Sequence, residues 1–511
     1  MSDSRLDRYA ADLAAAGIST AEAERQIELL REPPAAAELV RPCTVGDGLR
    51  VLSESEWPGL EASWREAAAA GRFSKLVPAS GAASRMFARL EEVRSGPSLA
   101  RRALAERAAG GDAAAAAVDM LLSRIDDLPF AGELARTGAL HGRDLGGWAT
   151  SDDYPRVLDA ILGDDGLGFA RRPKALIPFH RYAEGSLTAF DEQLAEARDY
   201  LRSGGARASV HFTVSEDSLG EFEAAAAGSV LARGCEITWS THHVSTSPLT
   251  LETDGGPART ATGSLLLRPG GHGALLRNLA AHDGDLVYLK NIDNVLPEWR
   301  REPVVSWQRL LGGLAAQLAA RARRLLRELL AGGSPAVVEE AVAFCRDAIG
   351  REPPTGDFES TRAALIDLLD RPLRVCGMVP NAGEPGGGPF WVRTADGGAH
   401  PQIVEAAQVD RTDPEQERVF SSSTHFNPVM IVAALRRHDG TAHALDRFVD
   451  PRAVFVSRKP FEGRVLTVLE RPGLWNGAMA GWNTVFVEVP LDTFAPVKTV
   501  LDLLRPAHQR P

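Results

Sequence analysis

Four short segments carry residue types suited to holding phosphates or a divalent cation. The first, PASGAASRMF at 78–87, runs from an apolar stretch into Ala79, Ser80, Gly81 and Ala82 before a helix-prone run. Side chains this small let backbone N–H groups approach a phosphate, a helix N-terminus favours negative charge, and Arg85 adds a fork of donors suited to a triphosphate. A plain strand-to-helix turn would have the same composition. The second segment, RRPKALIPFH at 171–180, sets Lys174 before an apolar run. A lysine there acts as a point charge on a nucleotide or on departing pyrophosphate, unless it belongs only to a solvated basic cluster. In the third, RPGGHGALLRNL at 268–279, Gly270, Gly271 and Gly273 flank His272, whose imidazole can donate to a sugar hydroxyl or a phosphate. The fourth, DLVYLKNIDNVLP at 285–297, is an apolar strand ending in Asn291, Asp293 and Asn294. Ligands of open α/β sheets gather at the carboxyl ends of strands, and a carboxylate there suits Mg²⁺, which pairs one or two carboxylates with phosphate oxygens and water. The competing reading is an Asx-turn that ends the strand. Near the C-terminus, TFAPVKTVLDLL places Lys498 ahead of a helical run, which taken alone is an ordinary helix start.

The elements that must position these residues follow from the pattern around them. Ser19-Thr20-Ala21-Glu22 marks a helix start and Pro33-Pro34 a stop, so the first seventy residues read as helical. Lys75-Leu76-Val77-Pro78 reads as a short buried strand. Alanine, leucine and arginine dominate 87–161, a helical insertion, and a second helical block covers 306–369. Strand-like runs at 174–179, 208–214, 236–240, 264–267 and 286–291, with helical patterns between several of them and from 184 to 197, predict a mostly parallel α/β sheet. A loop rich in glycine and proline, NAGEPGGGP, precedes further strands. The expected organisation is a helical segment at 1–72, a domain at 73–504 with helical insertions near 88–160 and 306–370, and a tail at 505–511.

Composition narrows the function classes. The chain has 511 residues, 44% hydrophobic and 24% charged, with a formal net charge of −11. That balance argues against a general nucleic-acid binder, although one basic pocket suffices for a phosphate ligand. No run reaches the roughly 18 apolar residues of a membrane span, and the N-terminus lacks a secretory pattern, so neither nucleic acid nor membrane is an expected partner and the cytoplasm is the expected setting. Cys43, Cys235, Cys345 and Cys376 have no metal-ligand spacing and read as reduced, buried thiols.

In chain order, these segments resemble the UDP-sugar pyrophosphorylase group, the UTP–glucose-1-phosphate uridylyltransferases in particular. RPGGHGALL resembles the group's proline-glycine-histidine-glycine loop, and YLKNIDNV its strand ending in asparagine-x-aspartate-asparagine. QIVEAAQVD at 402–410 is similar to its strand ending in glutamate-x-alanine-glutamine-valine, and SSTHFNP at 422–428 to the asparagine-bearing segment that follows. FAPVKTVLDLL is similar to its phenylalanine-x-proline-valine-lysine-threonine run. The chain also resembles a bacterial family catalogued as a domain of unknown function.

The resemblance implies an α/β fold of the Rossmann-like, GT-A-type nucleotidyltransferase kind, with a mixed, mostly parallel sheet and helical insertions. It implies that Ala79, Ser80, Gly81 and Ala82, with Gly271, hold a nucleoside triphosphate. Arg85, Lys174 and Lys498 would be catalytic, neutralising its phosphates and the leaving group. Asp293 would bind Mg²⁺, and His272, Asn291 and Asn427 would touch a sugar 1-phosphate. The implied reaction joins that sugar 1-phosphate to the triphosphate, UTP being the expected one, with release of pyrophosphate. This sequence departs from the group in having Gly81 as its only loop glycine and in placing Pro173-Lys174 after the helical insertion. Arg85-Met86 is closer to the arginine-bearing loop of bacterial sugar nucleotidyltransferases. Two other classes stand beside this expectation: a glycosyltransferase using a nucleotide sugar, and a non-catalytic nucleotide-sugar binding or regulatory protein. GLWNGAMAGWN at 473–483 has no counterpart, and its Trp475, Asn476 and Trp482 are candidates for a sugar pocket or for core. The helical regions are candidates for homo-oligomer contacts.

Overall fold

A computed structural model of the chain describes residues 9–97, 99–137, 145–203, 205–268, 270–354, 356–383, 386–394 and 397–511. Residues 384 and 385 of the NAGEPGGGP loop, Pro269 of the third segment, and 98 and 138–144 of the first helical insertion lie outside the described residues. The chain forms two compact units. The first comprises Met1–Leu76, Ser240–Leu289 and Gln308–Leu491, the second Val77–Trp239, Lys290–Trp307 and Asp492–Pro511.

In the first unit the strands Thr44–Val45, Gly48–Arg50, Asn483–Glu488, Leu373–Pro380, His425–Ala434, Leu286–Lys290 and Phe73–Pro78 lie side by side in that order. Asn483–Glu488 runs parallel to both Gly48–Arg50 and Leu373–Pro380, and Leu286–Lys290 runs parallel to Phe73–Pro78. His425–Ala434 is antiparallel to Leu373–Pro380. This is the mixed, mostly parallel sheet the sequence predicts. Every residue of Leu286–Lys290 is buried, as expected for a strand covered on both faces, which reads up to Leu289 as an apolar run without alternation. The helix Glu302–Leu330 carries Gly312 and Gly313 in its interior, where glycine costs about 1 kcal/mol each relative to alanine. Close packing accounts for them: a Cβ at Gly312 would stand 1.9 Å from the Tyr288 hydroxyl, and one at Gly313 2.0 Å from the Leu60 carbonyl.

The second unit pairs the strands Ala208–Val214 and Cys235–Thr241. Helices Ala88–Arg94, Arg101–Ala109, Ala113–Ser123 and Pro155–Leu162 fill the first helical insertion. Asp112 caps the third of these by accepting from the N–H groups of Ala114 and Ala115. Helix Ala189–Tyr200 begins in a capping box between Thr188 and Asp191 and buries Glu192, Gln193 and Glu196 along with its apolar residues.

Three local readings change. The first seventy residues hold the expected helices, Ala10–Ala16, Thr20–Arg31 and Trp57–Ala69, but also the strands Leu39–Pro42, Thr44–Val45 and Gly48–Arg50. Strands of two to four residues are too short to show a period. The run at 174–179 is a 3₁₀ turn, Lys174–Leu176, followed by the strand Pro178–Tyr182; its partner Gly185–Thr188 takes the start of the stretch predicted helical from 184. The run at 264–267 makes only isolated bridges, Leu265 with Arg259 and Leu267 with Leu249. All four cysteines are buried and lie outside any disulfide. Among the described residues, no helix is long and apolar enough to cross a membrane.

Candidate active site

Within the second unit, backbone hydrogen bonds tie the predicted phosphate segments to one another. Ala79 N–H donates to the Thr213 carbonyl at 2.8 Å, fixing the loop to strand Ala208–Val214. Lys174 N–H donates to the Gly81 carbonyl and Ala83 N–H to the Arg172 carbonyl, both at 3.0 Å. Committing the loop to this partner leaves only a 3₁₀ turn at Ala83–Arg85 before the seven-residue helix Ala88–Arg94, where the sequence predicts an immediate helix. Gly81, Ala82 and Arg85 are exposed, and no atom stands within 4 Å of where a Gly81 Cβ would be. The protein's own packing therefore does not demand glycine there, and the loop backbone is open to a ligand.

The strand end and the C-terminal segment meet this loop. After Leu286–Lys290, Asp293 accepts through its backbone carbonyl from Val497 N–H at 3.0 Å, and Asn294 Oδ1 accepts from Ala495 N–H at 3.1 Å. Asp502 Oδ2 then accepts from the N–H groups of Lys498 and Thr499 at 2.8 and 2.7 Å, and Val500 N–H reaches the Met86 carbonyl. Asp502 was readable from sequence, since Thr499-x-x-Asp502 has capping-box spacing. The amphipathic helix expected after Thr499 is the short 3₁₀ turn Val500–Leu504.

These ties bring two lysines onto one carboxylate. Asp293 Oδ2 accepts from Lys174 Nζ at 2.7 Å and from Lys498 Nζ at 3.1 Å. The side chains of Asp293 and Lys174 are 11% and 14% exposed, whereas Lys498 is 61% exposed. Asp293 Oδ1 is buried and has no hydrogen-bond partner among the described residues. Burial pushes the Asp293 carboxyl up, but the two ammonium groups outweigh it and hold it below the ordinary carboxylate range. Burial pushes Lys174 down; Asp293 opposes this, and the charges of Lys498 and Arg85 reinforce it. Two ammonium groups thus share one carboxylate oxygen, with the Arg85 charge acting on Lys174 besides, an imbalance that an anionic ligand would relieve.

Asn291 lies at the same strand end, and its carbonyl accepts from Gln193 Nε2 at 2.8 Å. Behind it, Lys290 Nζ donates to both oxygens of Glu196, at 2.6 and 2.7 Å. His180 Nδ1 lies 2.8 Å from Glu192 Oε1, and its Nε2 lies 2.9 Å from Nδ1 of His508. Burial holds His508 down to about 3, so a neutral ring anchors the C-terminal segment. The sequence did not signal Glu192 or Glu196, because charged residues on a helix ordinarily mark its solvated face.

Gly271, His272 and Asn427 belong to the first unit. Gly271 has φ 69°, and a Cβ on Gly270 or Gly273 would stand 2.4 Å from the Thr246 carbonyl or 2.2 Å from the Pro472 carbonyl. Backbone conformation and packing thus account for the glycines around His272. His272 Nε2 lies 3.7 Å from Oε1 of Glu405, which belongs to the QIVEAAQVD segment. Asn427 is buried, and its Oδ1 accepts from Val429 N–H at 3.0 Å. Val429 sits at φ 58°, where a β-branched residue is strained by about 1–3 kcal/mol, beside a register shift in the pairing with Leu373–Pro380. Trp475 and Trp482 are part of the apolar core of this unit.

For Mg²⁺, the unpaired Asp293 Oδ1 is a hard anionic oxygen of the kind the ion takes, so the donor set fits a site completed by phosphate oxygens and water. Among the described residues, no group of three or more His, Cys, Asp or Glu is placed to hold a metal by itself.

The family model described as "Domain of unknown function (DUF4301)" matches residues 7–509. No curated protein matches the chain. Among solved structures, it is similar to the uridine diphosphate N-acetylglucosamine pyrophosphorylase of Trypanosoma brucei bound to an inhibitor. The identity is 14% and the TM-score 0.50, covering 99% of this chain and 79% of that one. It is also similar to a UDP-glucose phosphorylase of Trypanosoma brucei, at 12% identity and TM-score 0.47 over 98% of this chain and 78% of that one. A mutant UDP-glucose pyrophosphorylase of Leishmania major in complex with UDP-glucose gives 14% identity and TM-score 0.45 over 99% and 79%. At 14% identity, what the chain shares with the first of these is the fold.

Proposed function

The chain belongs to the DUF4301 family, and from that premise we propose that it is a sugar-1-phosphate nucleotidyltransferase that releases pyrophosphate. The observation that carries this reading is the pair of lysines held on one carboxylate beside an open backbone loop. The fold shared with a UDP-N-acetylglucosamine pyrophosphorylase supports it and makes UTP the expected triphosphate.

In this reading, a sugar-1-phosphate oxygen attacks the α-phosphorus of the triphosphate. A new P–O bond forms as the α–β bridging bond breaks, and pyrophosphate leaves in line. No side-chain nucleophile is needed, and the protein supplies positioning and charge neutralisation. Ala79, Ser80, Gly81 and Ala82 present backbone to the phosphates. Lys174 and Lys498 exchange the carboxylate for phosphate oxygens, with Arg85 adding a third cation. Asp293 would hold Mg²⁺, whose charge would offset that of the phosphates. Asn291 is the proposed sugar-phosphate contact beside these groups. For the first unit taken by itself, His272 and Asn427 are proposed for a sugar phosphate and Gly271 for a nucleotide. A triphosphate substrate and unbridged thiols fit a cytoplasmic setting.

The test is a matrix of nucleoside triphosphates against sugar 1-phosphates with Mg²⁺, read as pyrophosphate release, in wild type and Asp293→Asn. The expected outcome is release for one pairing and loss of most Mg²⁺-dependent activity in the variant, with nucleotide affinity only modestly changed. Equal activity and metal dependence would remove Asp293 as the metal ligand. A wild-type protein that binds nucleotide and releases no pyrophosphate with any sugar phosphate would favour the regulatory binding protein. Transfer of sugar from a nucleotide sugar to an acceptor would favour the glycosyltransferase.

A further inference from the structure

The stretch from Gly473 to Asn476, which none of the roles above uses, is built around His272. The imidazole stacks on the Trp475 ring, with centroids 4.5 Å and planes 18° apart. Leu474 N–H donates to His272 Nδ1 at 3.0 Å. Gly473 lies against the ring, where a Cβ would stand 2.5 Å from Cε1 and 3.0 Å from Nε2. The stretch is itself braced from within the core. Fully buried Arg374 donates to the Trp475 carbonyl at 2.6 Å, to Thr484 Oγ1 at 2.9 Å and to Gln402 Oε1 at 3.2 Å. Asn476 Nδ2 donates to Gln408 Oε1 at 3.1 Å.

A ring nitrogen that accepts a hydrogen bond carries no proton, so the Leu474 N–H leaves His272 a neutral ring with its hydrogen on Nε2. We infer that Gly473–Asn476, braced by Arg374, is a positioning device that locks His272 in the Nε2–H tautomer. The ring thereby presents one donor to an acceptor oxygen of the sugar phosphate, a role that rests on His272 as a substrate contact. Glu405 Oε1, at 3.7 Å, is beyond hydrogen-bond length and leaves that donor available. Burial lowers the ring's proton affinity further than the facing carboxylates, Glu405 and Glu470, raise it, in agreement with the geometry.

The device and the substrate role are read separately. Protein labelled with ¹⁵N-histidine, free of substrate and near neutral pH, should show for His272 an unprotonated Nδ1 and a protonated Nε2, with His272→Gln identifying the signals. Gly473→Ala should fold, displace the ring and abolish that signature, while Trp475→Phe, which keeps the stack, should retain it. A wild-type ring protonated on Nδ1, or an unaltered signature in Gly473→Ala, would overturn the device. With glucose 1-phosphate or whichever sugar phosphate proves active, Gly473→Ala and His272→Gln should raise KM about three- to tenfold, the worth of one hydrogen bond, with kcat little changed. Unchanged KM in both, with the wild-type signature present, would overturn the donor role and with it the substrate reading of His272. Competition by inorganic phosphate, equally effective in His272→Gln, would assign the acceptor to a sugar hydroxyl; competition weakened in the variant would assign it to the phosphate.

Discussion

Two lysine–carboxylate clusters stand three residues apart on the same strand end and differ in almost every physical respect. Lys290 and Glu196 are 1% and 0% exposed, and the ammonium satisfies both carboxylate oxygens. Asp293 shares one oxygen between Lys174 and Lys498, leaves the other unpaired, and has a largely exposed cation as one partner. The first cluster is charge-balanced and closed. The second is over-charged and incomplete, which makes it suited to a ligand and poor as a structural tie. A buried pair costs desolvation that only good geometry offsets, so an ion pair left half-satisfied is a better marker of function than a perfect one.

Breaking the closed cluster should have the largest effect. Glu196→Gln leaves Lys290 buried without its anion and should cost about 3–5 kcal/mol of stability in urea denaturation. A cost below 1 kcal/mol would erase the distinction between the clusters. Next comes Lys498→Ala, which should slow turnover about a hundredfold, near 2.7 kcal/mol in the barrier. Its stability should stay within about 0.5 kcal/mol of wild type, as for an exposed residue. The reverse outcome, lost stability with normal turnover, would make Lys498 a structural residue.

Asp293→Asn sharpens the contrast further. Removing the shared carboxylate should cost the ligand-free protein about 1–2 kcal/mol, because Lys174 loses a charged hydrogen-bond partner. Affinity for free pyrophosphate without Mg²⁺ should rise, since Lys174 and Lys498 then face the anion unopposed. Weaker pyrophosphate binding in this variant would mean that Lys174 and Lys498 are not the phosphate cations. The smallest effect is in pH. The folded-state pKa of Asp293 is depressed, so its contribution to stability is fully present above the unfolded carboxyl value, about 4, and is lost as pH falls through the folded value. The stability difference between wild type and Asp293→Asn should therefore be constant near neutrality and close below pH 4. A difference that persisted at lower pH would show that the carboxylate charge is not what Asn removes.

Much of this site was legible before folding. Strands Ala208–Val214 and Leu286–Lys290 stand out because a run buried on both faces is rich in apolar and β-branched residues. The small-residue loop after Pro78, Lys174, Asp293 and Lys498 stand out as charged or small residues at the ends of such runs. Other features had no local signal. Glu196 looks like a solvated helix residue, Trp475 and Trp482 look as much like pocket as core, and the strained Val429 is an ordinary strand residue until its φ is known.

What the sequence determined by itself is the α/β character and the chain order that marks the resemblance, because these depend on residue type and short-range period. Only the tertiary structure decided which groups meet. Lys174 and Lys498 lie 119 and 205 residues from Asp293, and the hydrogen bonds that aim them run through Gly81, Val497 and Asp502. Such meetings are fixed by strand order and loop closure, which no periodicity encodes. It was likewise the fold that placed Leu474 N–H against His272 and so chose the nitrogen that keeps its proton.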